Sequence, residues 1–348
     1  MIRKSYSKRA VGRMFFAAFI LAFGATEFGD VLRAQEGVQG SPASGAQFTS
    51  DLAGIVTSTL NPAQIAILHW YNANLTTQFA VGKTPVGVAF DGASIWVVNS
   101  ADKTVDKLRA SDGTILGSFA VGTNPLGDAF DGANIWVANY LDGTVTKLRA
   151  SDGALQGTFT VGSGPVAVAF DGANIWVTNV GSNNVTKLQA SNGTVLGTFS
   201  VGTNPTGLAF DGANIWVANQ GSNTVTKLKA SSGATLGTFS VGTAPLGVAF
   251  DGTNIWVANQ SSNNVTKLKA SSGATLGTFA VGTNPFGVAF DGANIWVANH
   301  GSGNVTELKA TNGSTVGTYA VGTCPYYLSF DGSSIWVADE CSNTLSKL

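Results

Sequence analysis

From Leu75 to the end, the chain alternates short apolar runs with clusters of Gly, Asn, Asp and Ser. The first copy of the pattern reads "GVAF" (Gly87–Phe90), "IWVVN" (Ile95–Asn99), "TVDKLR" (Thr104–Arg109) and "ILGSFA" (Ile115–Ala120). These runs are rich in β-branched and aromatic residues and show no apolar stripe at helical spacing, so they predict four short strands, A to D. The separators "DGAS", "SADK" and "ASDG" supply the residue types that turns require. The unit then repeats every forty residues. The phrase "VGxxP" starts at Val81, Val121, Val161, Val201, Val241, Val281 and Val321, and Trp recurs at Trp96, Trp136, Trp176, Trp216, Trp256, Trp296 and Trp336. A sheet with two apolar faces cannot stand alone, and radial stacking buries both. The expected fold is all-β: a seven-bladed β-propeller over residues 75–348.

The ends fit a closed ring. The seventh copy stops after strand C, and "LTTQFAVG" (Leu75–Gly82) matches a strand D in phase. That N-terminal strand is expected to pair into the last blade, since an open ring leaves an unpaired edge. Centring the A–B turn between Gly92 and Ala93 puts Ala89 opposite Trp96 and Phe90 opposite Ile95, a large ring against a small side chain. Each Trp then reads as inter-blade core; the other reading is a platform on which a sugar or base stacks. Ahead of the strand, "NPAQIAILHWYNAN" (residues 61–74) predicts a short helix capped by Asn61 with Pro62 at its first position, and contains the eighth Trp, Trp70.

A unit such as "VGTNPTGLAFDGANIWVANQGSNTVTKLKASSGATLGTFS" resembles the YVTN/NHL-type propeller repeats of secreted bacterial proteins, the YncE-like group in particular. It is more distantly similar to the streptogramin-lyase propellers. The first resemblance implies fold, because propellers serve as enzymes, binders and scaffolds. The second implies metal-dependent chemistry with a histidine base beside a carboxylate. Here the strand reads "IWVAN" where those lyases commonly have a Trp-Phe-Thr-Glu-like strand, and the chain has two histidines, His69 and His300.

Composition changes the picture at the N-terminus. Residues 1–34 hold six Lys/Arg against Glu27 and Asp30, leaving the remainder mildly acidic, which excludes phosphate-backbone binding driven by counterion release. A basic stretch precedes "MFFAAFILAFGA" (Met14–Ala25), whose twelve apolar residues suit a signal peptide cleaved after Ala25 or Ala34; an uncleaved anchor is the alternative. Residues 35–60 read as a linker. The expectation is a periplasmic or secreted monomer with no membrane span after signal removal, whose partner is a protein or small-molecule ligand at the loop face or in the axial channel and not nucleic acid.

Near-identical repeats make repeated residues scaffold, so function is sought where copies differ. On the face carrying the D–A and B–C loops, one variable column follows the strand B asparagine: Ser100, Tyr140, Val180, Gln220, Gln260, His300 and Glu340. A second follows the loop proline: Val86, Leu126, Val166, Thr206, Leu246, Phe286 and Tyr326. Their mixture reads either as a binding surface or as loop drift, and Tyr140, Gln220, Gln260, Phe286 and Tyr326 are the ligand-binding candidates. Asp128 joins them. It replaces the Val or Leu of the innermost strand, as a solvated channel side chain or as a contact for a ligand or cation. His300, Asp339 and Glu340 are the catalytic candidates, either polarising water with a divalent metal in a lyase or hydrolase or serving as ordinary surface residues. No metal site and no cofactor is otherwise expected. The seven "FDG" aspartates read as turn caps, since no D-x-D-x-D-G run exists. The lysines at Lys107, Lys147, Lys187, Lys227, Lys267 and Lys347 read as a solvated ring interrupted by Glu307. Cys324 and Cys341 fall opposite each other in that hairpin register. An exported protein makes them a disulfide, and a register slip leaves two free thiols.

Overall fold

The computed structural model describes residues 77–348; the expected signal peptide, linker and short helix lie outside the described residues. It is a seven-bladed β-propeller, each blade a four-stranded antiparallel sheet. In blade 1 the strands are A, Pro85–Phe90; B, Ser94–Asn99; C, Thr104–Arg109; and D, Ile115–Ala120. Strand A begins two residues earlier than the apolar pattern suggests, because Pro85 is paired with Asn99 across a bulge that precedes Val88. Beyond the bulge the register is Ala89 to Trp96 and Phe90 to Ile95. In blade 7, Gln78–Ala80 takes the outer position, with Phe79 opposite Leu345. Phe79 lies 5.4 Å from Trp336, centroid to centroid, the place that Phe119 holds against Trp96 in blade 1 at 5.5 Å.

The core lies between blades. Trp136 of blade 2 packs with Ile175, Val177 and Leu188 of blade 3, and the same set recurs around the ring. Six of the seven blade indoles are fully buried. A buried indole N–H requires an acceptor, and the turn aspartate provides it: Trp216 Nε1 donates to Asp211 Oδ2 at 2.8 Å. The other oxygen of Asp211 accepts the backbone N–H groups of Ala213 and Asn214. The turn cap read from "FDG" is therefore also the indole's partner.

The lysine ring is not solvated. Lys147, Lys187, Lys227 and Lys267 are buried. Lys227 Nζ lies 5.0 Å from the ring centroid of Trp216 and donates to the carbonyl of Ala270 in the next blade at 2.7 Å. Each such lysine lays its stem on the indole and ties two blades together. Blade spacing on the linear chain had suggested separation; stacking brings each lysine onto its neighbour's C–D turn. Where Glu307 interrupts the ring, its carboxylate accepts instead from the hydroxyl of Tyr319, which replaces the strand D phenylalanine of the other blades.

Close approach explains two sets of glycines. At Gly233, whose φ is +74°, a Cβ would overlap the ring of Phe199 from the preceding blade. Near the axis, a Cβ on Gly207 would collide with the carbonyl of Leu246 in the next blade. Ala167 stands in that glycine column. Beside it Thr178, where other blades have Ala or Val, donates to the carbonyl of Thr206 at 2.6 Å and accepts from the N–H of Ala167 at 3.0 Å.

Burial alone would raise the carboxyls of Asp171, Asp211, Asp251, Asp291 and Asp331, but hydrogen bonds from the indole, neighbouring side chains and turn amides outweigh it and hold them below the usual range. A depressed folded pKa gives stability that is present above the unfolded value of about 3.9 and lost as pH falls through the folded one. Replacing Asp211 by Ala is expected to cost about 2–4 kcal/mol at neutral pH, by orphaning the indole and two amides. Urea unfolding checks this, and the variant should lose less additional stability than the parent between pH 5 and pH 3.

Candidate functional site

The D–A and B–C loops share one face, joined by backbone hydrogen bonds: Ser100 N to Thr84 O, Gln220 N to Asn204 O, His300 N to Asn284 O and Glu340 N to Cys324 O. The column after the asparagine is therefore pinned to the loop residue before the proline. It stays partly exposed in six of seven blades, Ser100 being buried. The column after the proline lies deeper. Val86, Val166, Thr206 and Leu246 are buried, and the hydroxyl of Thr206 bonds to the carbonyl of Pro245 at 3.1 Å. This second column is thus the inner packing of the ring rather than a free surface, because each proline starts strand A beside the axis.

At blades 6 and 7 both columns carry large or charged groups, and these converge. Phe286 stacks on His300 with centroids 4.7 Å apart and contacts Tyr326 at 4.6 Å. His300 meets the edge of Tyr326 at 6.1 Å and pairs with Glu340 through Nε2 at 3.1 Å. About a quarter of each side chain of the His300–Glu340 pair is exposed. Tyr326 in turn contacts Tyr327 at 5.1 Å, and Tyr327 lines the axial channel. Burial, and secondly the charge of Glu340, push the Tyr326 hydroxyl up to about 12, so it remains a hydrogen-bond donor at neutral pH. The result is an aromatic wall with one acid beside it at the channel mouth.

Tyr327 escaped the sequence reading. It stands in the column of Gly87, Gly127, Ala167, Gly207, Gly247 and Gly287, where its size is as discordant as the charge of Asp128 one position along. Gln220 and Gln260 form a separate neighbouring pair, Nε2 to Oε1 at 3.4 Å. Tyr140 lies against the loop at Gly164 of blade 3, away from both. Asp128 faces the channel.

Asp339 does not join His300 and Glu340. It is fully buried inside blade 7, where Oδ2 accepts from Ser346 at 2.7 Å and Thr344 at 3.2 Å. Alternation along the strand sends Asp339 and Glu340 in different directions. Among the described residues no group of three His, Cys, Asp or Glu side chains gathers to hold a metal ion. Cys324 and Cys341 stand at disulfide-bonding distance, with Cα atoms 5.4 Å apart. They lie beyond the bulge, Cys324 just before the strand that begins Pro325–Tyr326 and Cys341 on the loop that carries Glu340.

No family model and no curated protein matches the chain. Solved structures do match. It is similar to Kuenenia stuttgartiensis hydrazine synthase at 18% identity, TM-score 0.67, over 76% of this chain and 95% of that one. A streptogramin B lyase is similar at 19% identity, TM-score 0.67, over 78% and 95%. So is the selenomethionine-substituted virginiamycin B lyase from Staphylococcus aureus, at 17%, TM-score 0.68, over 78% and 97%. At these identities the likeness is one of fold.

Burial pushes the Asp339 carboxyl up to about 6, against the lowering effect of its hydroxyl and amide partners. A folded pKa above the unfolded value gives stability that is complete at low pH and lost as pH rises through the folded value. Asp339→Asn restores the residue of the other six blades. It is expected to raise stability at pH 8 by on the order of 1–3 kcal/mol and to leave it nearly unchanged at pH 4, as urea midpoints at the two pH values will show.

Proposed function

We propose that this protein is an exported, monomeric binding module of the YVTN/NHL-type, YncE-like kind, and that it takes its ligand on the loop face over blades 6 and 7. The observation that carries this reading is the convergence of Phe286 and Tyr326, at the starts of two A strands, with His300 and Glu340, on the B–C loops of the same two blades. Half-buried aromatic rings with one adjacent, partly exposed acid favour a planar or CH-rich group that presents a hydrogen-bond donor or positive charge at its edge. Sugars, aromatic amines and protein side chains of that type satisfy the description. Export rests on the basic and apolar N-terminus together with the cysteine pair. The reading needs no cofactor and no nucleic acid.

The rival reading is a metal-assisted lyase or hydrolase, and the His300–Glu340 pair is the observation that favours it. In that case His300 serves as the base and Glu340 orients it.

Ligand-observed NMR against a panel of oligosaccharides, aromatic amines and short cationic peptides separates the two. Binding is expected to weaken at least tenfold in Phe286→Ala/Tyr326→Ala and to be indifferent to EDTA. Binding that survives the double variant would sink the proposal. Turnover that needs a divalent metal and vanishes in His300→Ala would replace it with the rival.

A further inference from the structure

Asp128 interrupts an otherwise apolar ring. Strand A of every other blade places Val or Leu at its position, among them Val88, Val168, Leu208 and Val248. With the small residues one position earlier and Tyr327, these side chains line a cavity of about 130 Å³ on the propeller axis. That volume holds several heavy atoms, far more than a single water. Asp128 is partly exposed to this cavity, and its Oδ2 is buried against the wall with no hydrogen-bond partner. Desolvation moves the carboxyl well above its usual range. A carboxyl group left in this condition resists ionisation unless a positive partner is supplied. Some other departures from the repeat bring compensation, Glu307 with Tyr319 and Ala167 with Thr178, and Asp339 keeps two hydroxyl donors on one oxygen while its other oxygen is unpartnered inside blade 7, away from the channel. The missing partner of Asp128 is not supplied by the protein.

The lining defines what that partner is. A hard divalent ion requires about six oxygen ligands and usually several carboxylates, and Asp128 is the one carboxylate in the lining. A single negative charge matches a single positive one. The Val and Leu side chains match a short hydrocarbon chain, backbone groups between them make the wall partly polar, and Tyr327, in a column of small residues, lines the same cavity. We propose that the axial channel is a binding site for a small alkylammonium ion, with the ammonium on Asp128 and the carbon chain against the Val and Leu side chains. The site touches the loop-face cluster only through the Tyr326–Tyr327 contact, and its test through Asp128 is independent of that cluster.

Isothermal titration of the full chain at pH 7 with n-butylammonium chloride, and with 1-butanol as its uncharged counterpart, tests this. The parent is expected to bind butylammonium at least tenfold more tightly than butanol. Asp128→Val, which installs the residue of neighbouring blades and should fold at least as stably, is expected to abolish the difference. Asp128→Asn should weaken amine binding at least tenfold. Infrared spectroscopy of isotope-labelled protein should show the band of a protonated carboxyl that disappears on adding the amine and is missing in Asp128→Val. The proposal fails if no amine binds, if butanol binds equally well, or if amine affinity survives Asp128→Val. Uptake of Ca²⁺ or K⁺ that depends on Asp128 and that butylammonium does not displace would also overturn it.

Discussion

The indole that each blade presents to the next is the interaction on which the rest of the molecule depends. A blade of four short strands has two apolar faces and no stability of its own, so it exists only between neighbours. The tryptophan fills the space between blades, but its N–H cannot be left there without an acceptor. The turn aspartate meets that N–H and fixes the A–B hairpin at the same time. The lysine of strand C covers the indole and reaches the next blade's carbonyl. One aspartate, one tryptophan and one lysine therefore couple hairpin geometry, inter-blade packing and inter-blade hydrogen bonding. A change to any of them is felt in two blades.

This coupling gives a criterion for sorting the differences among copies. A departure that serves the scaffold is accompanied by a second change that restores packing or hydrogen bonding. Glu307 with Tyr319 is one case, and Ala167 with Thr178 another. In blade 1, Asp106 replaces the strand C threonine and accepts the N–H of Gly82 at 3.0 Å, where Asn139 accepts the equivalent N–H of Gly122 in blade 2. Asp128 has no such companion, and its oxygen is left without a partner. Tyr326, Phe286, His300 and Glu340 satisfy one another but restore nothing that the other blades possess.

The blade count, strand order and hairpin register were legible because a fixed period and turn chemistry constrain them, and Ala89 opposite Trp96 is one instance. The lysine ring was misread because one-dimensional spacing does not show that stacking brings residues 43 apart into contact, as Lys227 and Ala270 are. The loop-face columns could be read as positions but not as depths. The bulge at Pro85 and its equivalents turns the residue after the proline inward, which made Val86 and Thr206 packing residues and left Phe286 and Tyr326 half-buried. Asp339 and Glu340, adjacent in sequence, were grouped together although strand geometry separates them. Tyr327 stands out only against the column of glycines and one alanine that it interrupts, a signal of size rather than of charge or chemistry.

The position of the loop-face cluster has a mechanical rationale. Blade 7 is built from both ends of the propeller, with Gln78–Ala80 against Thr344–Lys347, and the junction lacks the covalent continuity of the other blades. Cys324 directly precedes Pro325 and Tyr326, and Cys341 directly follows Glu340. A link between those two residues fixes the relative position of the aromatic ring and the carboxylate. Binding that depends on several side chains from different loops loses less entropy when those loops are already restrained. The cysteines thus sit where pre-organisation has the greatest value, at the one blade where chain closure and the candidate site coincide.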